Sequence, residues 1–181
     1  MSFNKNKYQV IKGAISKEVA DIAYRYLQIS AEADYWMLNN GMTHESNKLV
    51  GNFKDEQVPN SYARVYERGA ELKRHKDRPS CEISTTINLG GDPWPIFIDP
   101  TGSDNVIDEY KGIHKPGAPK GVKVDLKPGD MLIYSGCELE HWREPFEGQL
   151  CGQVFLHYNH ADGQFAKSNL YDKRPMLGIV K

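Results

Sequence analysis

The chain has no long apolar run, few cysteines and no surplus of charge, and each shortfall removes a class of function. No apolar stretch approaches the roughly 20 residues that a membrane-spanning helix requires, so no membrane partner is expected. The first residues, Met1-Ser2-Phe3-Asn4-Lys5-Asn6-Lys7, lack the apolar core of a secretory signal. Cys81, Cys137 and Cys151 form neither a disulfide framework nor a Cys-x-x-Cys metal pair. A reducing, cytoplasmic setting is the expectation. Basic residues number 23 against 24 acidic ones. A phosphate-backbone binder usually carries a basic excess, so nucleic acid is not an expected partner. What is present suffices for one core, since 39% of the 181 residues are hydrophobic. No internal repeat or low-complexity tract divides the chain.

Residues 8–15, YQVIKGAI, read as a short strand. Ser16 stands where a helix N-cap belongs, with Glu18 and Asp21 near the positive end of the helix dipole. Val19, Ile22, Ala23, Tyr26 and Leu27 then recur at the spacing of one buried helical face. The segment onward to about Asn40 reads as a second helix, and 41–60, which is polar, as loop. From Ser61 the pattern turns to strands: Tyr62–Tyr66, Glu71–Asp77, Cys81–Leu89, Trp94–Ile98, Val122–Leu126, Met131–Tyr134 and Cys151–Tyr158, separated by Gly/Pro/Asp turns. Residues 99–121 are rich in Gly, Pro, Asp and Lys and read as a long surface loop, either a substrate lid or a plain insertion. The expected fold is mostly β (α+β): a double-stranded β-helix, or jelly roll of cupin-like form, with N-terminal helices packed on one sheet. We expect a single domain over 1–181, with 1–60 as helical support, 61–160 as the jelly-roll core and 161–181 as a tail.

The chemistry-bearing feature is His75-Lys76-Asp77, followed much later by His141. Residues i and i+2 of a strand point the same way, so His75 and Asp77 can share the barrel interior. A third ligand from another strand would complete two imidazoles and one carboxylate on one face of a metal. Such a facial set leaves positions open and suits non-haem Fe(II), where oxygen and a co-substrate bind together. On the His-x-Asp spacing alone, a surface histidine beside a solvated aspartate is the better reading. Zinc is the alternative metal for the same donors.

The surroundings are more specific. Tyr66-Glu67-Arg68-Gly69 precedes His75-Lys76-Asp77, and Cys81–Leu89 follows it. Lys127-Pro128-Gly129-Asp130-Met131-Leu132-Ile133-Tyr134 then leads to Glu140-His141-Trp142-Arg143-Glu144-Pro145 and Gly148. In order and spacing these residues resemble the prolyl 4-hydroxylase-like branch of the 2-oxoglutarate- and Fe(II)-dependent dioxygenases, over about 61–160 and more loosely over 8–40. The resemblance implies His75, Asp77 and His141 as iron ligands, Tyr66 as a contact to 2-oxoglutarate, and ascorbate as a possible aid. The implied reaction hydroxylates a C–H bond with 2-oxoglutarate and O2 as co-substrates and succinate and CO2 as co-products. A prolyl or other side chain of a peptide or protein is the expected substrate, a free amino acid being the small-molecule variant.

One position departs from that family. Its members hold the distal carboxylate of 2-oxoglutarate with an Arg or Lys that would fall here at Leu150, Cys151 or Gly152, none of them cationic. A dianion entering a partly buried site without a cation carries a desolvation cost, so a substitute is required. Arg64 shares a strand face with Tyr66 and could clamp a carboxylate bidentately. Gln153 and His157 share a face of the last strand, and Lys73 lies two residues before His75; all are candidates to bind the co-substrate. Trp142 and Arg143 are candidates for the substrate rim. The missing cation also keeps two other readings open, a cupin-type metal dioxygenase that needs no 2-oxoglutarate and a jelly-roll binding module without catalysis.

Overall fold

The computed structural model describes residues 3–31, 37–38, 48–51 and 60–165. In chain order the elements are α1 (Phe3–Asn6), β1 (Tyr8–Ile11), α2 (Lys17–Ala31), β2 (Met37–Leu38), β3 (Lys48–Gly51), β4 (Asn60–Glu67), β5 (Leu72–His75), β6 (Ile83–Gly91), β7 (Ile96–Ile98), β8 (Val106–Asp108), β9 (Ile113–His114), β10 (Val122–Val124), β11 (Met131–Ser135), β12 (His141–Arg143) and β13 (Leu150–Tyr158). A larger sheet runs β1-β11-β6-β13-β4-β3-β2, a smaller one β10-β7-β12-β5, and β8 and β9 form a separate ribbon. Pairing in both sheets is antiparallel. This is the expected jelly roll, with α2 against the outer face of the larger sheet.

Alternation explains the layering. On β4 and β13, Tyr62, Arg64 and Tyr66 stand opposite Phe155, Gln153 and Cys151, which puts these six side chains on one face, toward the interior. The other face carries Ala63, Val65, Val154 and Leu156, which pack with Leu27 of α2 and with Ile87 and Leu89 of β6. Between the sheets lie two apolar clusters, one around Ile96, Ile98, Leu132 and Leu139, the other around Tyr66, Trp94, Phe146 and Phe155.

The helix cap is as expected: Ser16 Oγ accepts the Val19 amide at 3.3 Å. The buried face of α2 is not. Ala20 and Leu27 are buried, whereas Val19, Ile22 and Tyr26 are 52%, 68% and 52% exposed. Tyr24 sets this rotation by lying over two glycines of the sheet. A Cβ on Gly152 would come within 2.5 Å of the Tyr24 ring, and one on Gly90 within 3.0 Å. Small side chains at 20 and 23 allow the approach, and the periodicity of larger residues is overridden by where the ring can dock.

Residues 32–36, 39–47 and 52–59, which hold most of the expected second helix and loop, lie outside the described residues, as does the tail beyond 165. Between those spans Met37–Leu38 and Lys48–Gly51 are strands that extend the larger sheet beyond β4, where helix and loop were expected. Residues 99–121 likewise contain the β8–β9 ribbon. Among the described residues no helix is long and apolar enough to cross a membrane.

The turn before β11 is held by Asp130, whose carboxylate accepts from Lys12 Nζ at 2.8 Å and from the Gly13 and Lys127 amides, each at 3.0 Å. Burial opposes its ionisation, but these three donors outweigh burial and lower its pKa. A carboxyl whose folded pKa is depressed adds stability that is complete above its unfolded pKa and disappears as pH falls through the folded value. Asp130→Asn is therefore expected to cost roughly 1–3 kcal/mol at pH 7, with the gap to wild type closing toward pH 3. Urea midpoints at both pH values check this, and a gap that widens in acid would contradict it.

Candidate metal centre

His75 ends β5 and His141 begins β12, and the two are directly paired across the smaller sheet. Asp77 lies two residues beyond the end of β5, past the strand that its sequence suggested. Its amide donates to Gly136 O at 2.8 Å, and its Oδ2 accepts Ser84 Oγ at 2.5 Å. That leaves Oδ1 facing His75 Nε2 at 3.6 Å and His141 Nε2 at 3.7 Å. One donor atom from each residue lies within 4.8 Å of the others. Gly136 is required here by space, since a Cβ would sit 2.4 Å from Asp77 Oδ2.

Both imidazoles are oriented by the backbone two residues upstream. His75 Nδ1 lies 2.7 Å from Lys73 O and His141 Nδ1 3.0 Å from Leu139 O. A carbonyl can only accept, so each Nδ1 carries a proton, and each ring is turned so that its Nε2 faces Asp77. Burial, followed by the neighbouring His75, lowers the pKa of His141 to about 4, so the ring is neutral at physiological pH. Burial works against the Asp77 carboxylate as well, but His141 and His75 hold it well below the ordinary range. A neutral His141 nitrogen and an anionic Asp77 oxygen, with His75 Nε2 converging on them, make a donor set suited to a divalent cation. The donor chemistry thus fits Fe(II), with three ligands from the protein and the remaining positions left to exogenous groups.

Two members of this centre had no counterpart among the sequence candidates. Ser84 bridges Asp77 Oδ2 and His157 Nδ1, the latter at 3.0 Å. The Tyr134 ring stands edge-on to His141 with centroids 4.7 Å apart. The alternation of Ser84, Thr86 and Asn88 along β6 marks a polar interior face and was the available signal for Ser84. Burial raises the Cys137 thiol to about 12, and its Sγ donates to Arg78 O at 3.1 Å, so it stays protonated.

Tyr66, Arg64, Gln153 and His157 are all buried on the interior face. The Arg64 guanidinium lies 4.1 Å over the Tyr62 ring and hydrogen-bonds the Tyr66 side chain. Gln153 accepts Thr86 Oγ1 at 2.9 Å and donates to Cys151 Sγ at 3.1 Å. Lys73 is elsewhere: its Nζ donates to Tyr110 O at 2.6 Å, out on the ribbon. Counting by twos from His75 fails because His75 pairs with His141 but Leu72 pairs with Arg143, so three residues of β5 span two of β12 and Lys73 sits in a bulge. The rim candidates separate as well. Trp142 is stacked on Phe97 with Arg74 above it, on the far face of β12. Arg143 points into the barrel and is only 2% exposed, so it is no rim residue.

On the far face, Arg74 is buried between Asp99 at 2.5 Å and Glu140 at 2.6 Å. Glu140 also accepts the amides of Asn105 and Val106, and Arg74 donates to Pro119 O at 2.6 Å. This charge cluster fastens segment 99–121 at Asn105 and Val106 to Glu140, the residue before His141, and at Pro119 to Arg74 of β5.

No protein-family model matches the chain, and no curated protein matches it in sequence. Solved structures do. A Pseudomonas putida prolyl-4-hydroxylase superposes with TM-score 0.60 at 11% identity, covering 87% of this chain and 96% of its own. HygX from Streptomyces hygroscopicus, with nickel, 2-oxoglutarate and hygromycin B bound, gives 0.59 at 12% identity over 86% and 84%. The viral collagen prolyl hydroxylase of Paramecium bursaria Chlorella virus-1, a 2-oxoglutarate complex, gives 0.51 at 11% over 87% and 98%. At such identities the likeness is one of fold, and the fold is that of prolyl 4-hydroxylases and other 2-oxoglutarate- and Fe(II)-dependent oxygenases.

Proposed function

We propose that this protein is a 2-oxoglutarate-dependent Fe(II) oxygenase that hydroxylates a C–H bond in a side chain of a peptide or protein. The observation that carries the reading is the convergence of His75 Nε2, His141 Nε2 and Asp77 Oδ1, with each imidazole's Nδ1 tied to a carbonyl. Iron bound there supplies the redox chemistry by which O2 converts 2-oxoglutarate to succinate and CO2 and a substrate C–H to C–OH. The protein's own share is positional. Ser84 holds the Asp77 carboxylate so that Oδ1 faces the metal position. Trp94, Phe146 and Phe155 pack into a buried apolar cluster with Tyr66, and such packing excludes water from that part of the interior. Solved neighbours of this fold include a prolyl hydroxylase bound to a peptide and HygX bound to hygromycin B, which supports either a peptide or a smaller molecule as target. The peptide side chain is our choice.

The test is an anaerobic titration of the purified protein with Fe(II) and then 2-oxoglutarate. A weak visible charge-transfer band is expected when the chelate forms. Iron that binds without the band would move the protein to oxygen chemistry independent of 2-oxoglutarate, and no iron binding would leave a binding module. In the same assay Arg64→Ala is expected to raise the 2-oxoglutarate requirement at least tenfold, about 1.4 kcal/mol, because Tyr66 loses the cation that orients its hydroxyl. Iron affinity should be unchanged, and an unchanged 2-oxoglutarate requirement would remove Arg64 from the role.

A further inference from the structure

Among the described residues, the barrel interior contains a buried cation with no anion to match it. Arg143 is 2% exposed, yet the groups that receive it are all neutral: the carbonyl of Trp94, the Trp94 ring at 4.9 Å, and Thr86 Oγ1 at a long 3.4 Å. Arg74, by contrast, is met by two carboxylates. The Cys151 thiol and the Tyr66 and Tyr134 phenols lie within its electrostatic reach, but none of these is an anion at neutral pH, since burial raises all three. An isolated guanidinium buried among neutral dipoles is costly unless a ligand completes it. Two bonds leave a guanidinium with further N–H donors in a planar fork, the geometry that takes a carboxylate in two bonds.

Its position shows which carboxylate. Arg143 follows His141 by two residues on β12, and its bond to Thr86 crosses the barrel, so both side chains face the same interior. Residues two apart on a strand lie roughly 7 Å apart. A small dicarboxylate whose oxo-acid end meets the metal position would therefore present its other end to Arg143. Leu150, Cys151 and Gly152 of β13 carry no charge, and Arg143 brings one beside Cys151 from the facing sheet.

We infer that Arg143 binds the distal carboxylate of 2-oxoglutarate, the cation having moved from the last strand to the one that carries His141. This rests on the oxygenase reading above and deepens it. Selectivity for a dicarboxylate over an uncharged-tail oxo acid then resides in one residue of β12.

Binding of two ligands to the Mn(II)-loaded protein tests this by calorimetry: 2-oxoglutarate, and 2-oxopentanoate, which has the same chain without the distal carboxylate. Wild type is expected to prefer 2-oxoglutarate strongly. Arg143→Gln should weaken 2-oxoglutarate at least thirtyfold, change 2-oxopentanoate less than threefold and leave Mn(II) affinity alone. If that variant does not fold, Arg143→Lys takes its place, with about a tenfold loss confined to 2-oxoglutarate. Equal weakening of both ligands, or unchanged 2-oxoglutarate binding, would overturn the assignment while leaving the oxygenase reading intact. Wild-type protein that binds Mn(II) but no 2-oxoglutarate would overturn both.

Discussion

Replacing His141 with alanine should lower Fe(II) affinity at least about a hundredfold, because it removes one of three converging donors and the Nε2 lone pair with it. The loss should appear in a metal-dependent melting shift. A cation that binds only the folded protein raises its Tm with metal concentration, and the variant should show no such rise. Ser84→Ala supplies the gradient that separates ligation from general damage. Ser84 touches Asp77 Oδ2 and leaves all three donors in place, so a loss of roughly tenfold to a hundredfold is expected, with a metal-dependent Tm shift still measurable. His141→Ala protein that binds Fe(II) as tightly as wild type would dismiss the centre altogether.

Glu140→Ala should destabilise the fold by about 3–5 kcal/mol, because it breaks a buried charge cluster from one side. Arg74 would keep Asp99 as its sole carboxylate, and the Asn105 and Val106 amides would lose their acceptor. For a chain of this size the fall in Tm is roughly 6–20 °C. The double variant Arg74→Met/Glu140→Leu should lose less than Glu140→Ala alone, since removing both charges leaves neither uncompensated. Thermal melts of the three proteins decide this. A Glu140→Ala loss under about 1 kcal/mol would mean that solvent reaches the cluster freely. The consequence extends to function, because the same cluster fastens segment 99–121 beside His141. The variant should bind metal more weakly than its stability alone explains.

Much of this was legible from residue pattern. The Ser16 cap, the alternation of Tyr62–Tyr66 and of Cys151–Tyr158, and the turn at Lys127–Asp130 are local, and each appears in the fold. The facial set was legible for a related reason. His75 and Asp77 are close in sequence, and His141 lies within a run of residues whose order resembles a known family. The failures are equally specific. The exposed Val19, Ile22 and Tyr26 follow from Tyr24 docking over Gly90 and Gly152, an event between elements far apart in the chain. The strands at Met37–Leu38 and Lys48–Gly51 exist because β4 offers an open edge, a property of the sheet and not of those residues.

By itself, then, the sequence determined the fold class and which residues of β4 and of β13 share a face, because alternation is written in consecutive residues. The resemblance of its residue order to a known family pointed to His75, Asp77 and His141, which converge in the fold. Tertiary structure alone decided where the remaining charges went. One bulge between β5 and β12 turned Lys73 out to the ribbon, and Arg143, beside it on the partner strand, points into the barrel. A bulge shifts register by one residue relative to a distant strand, and no count along a single strand can detect it.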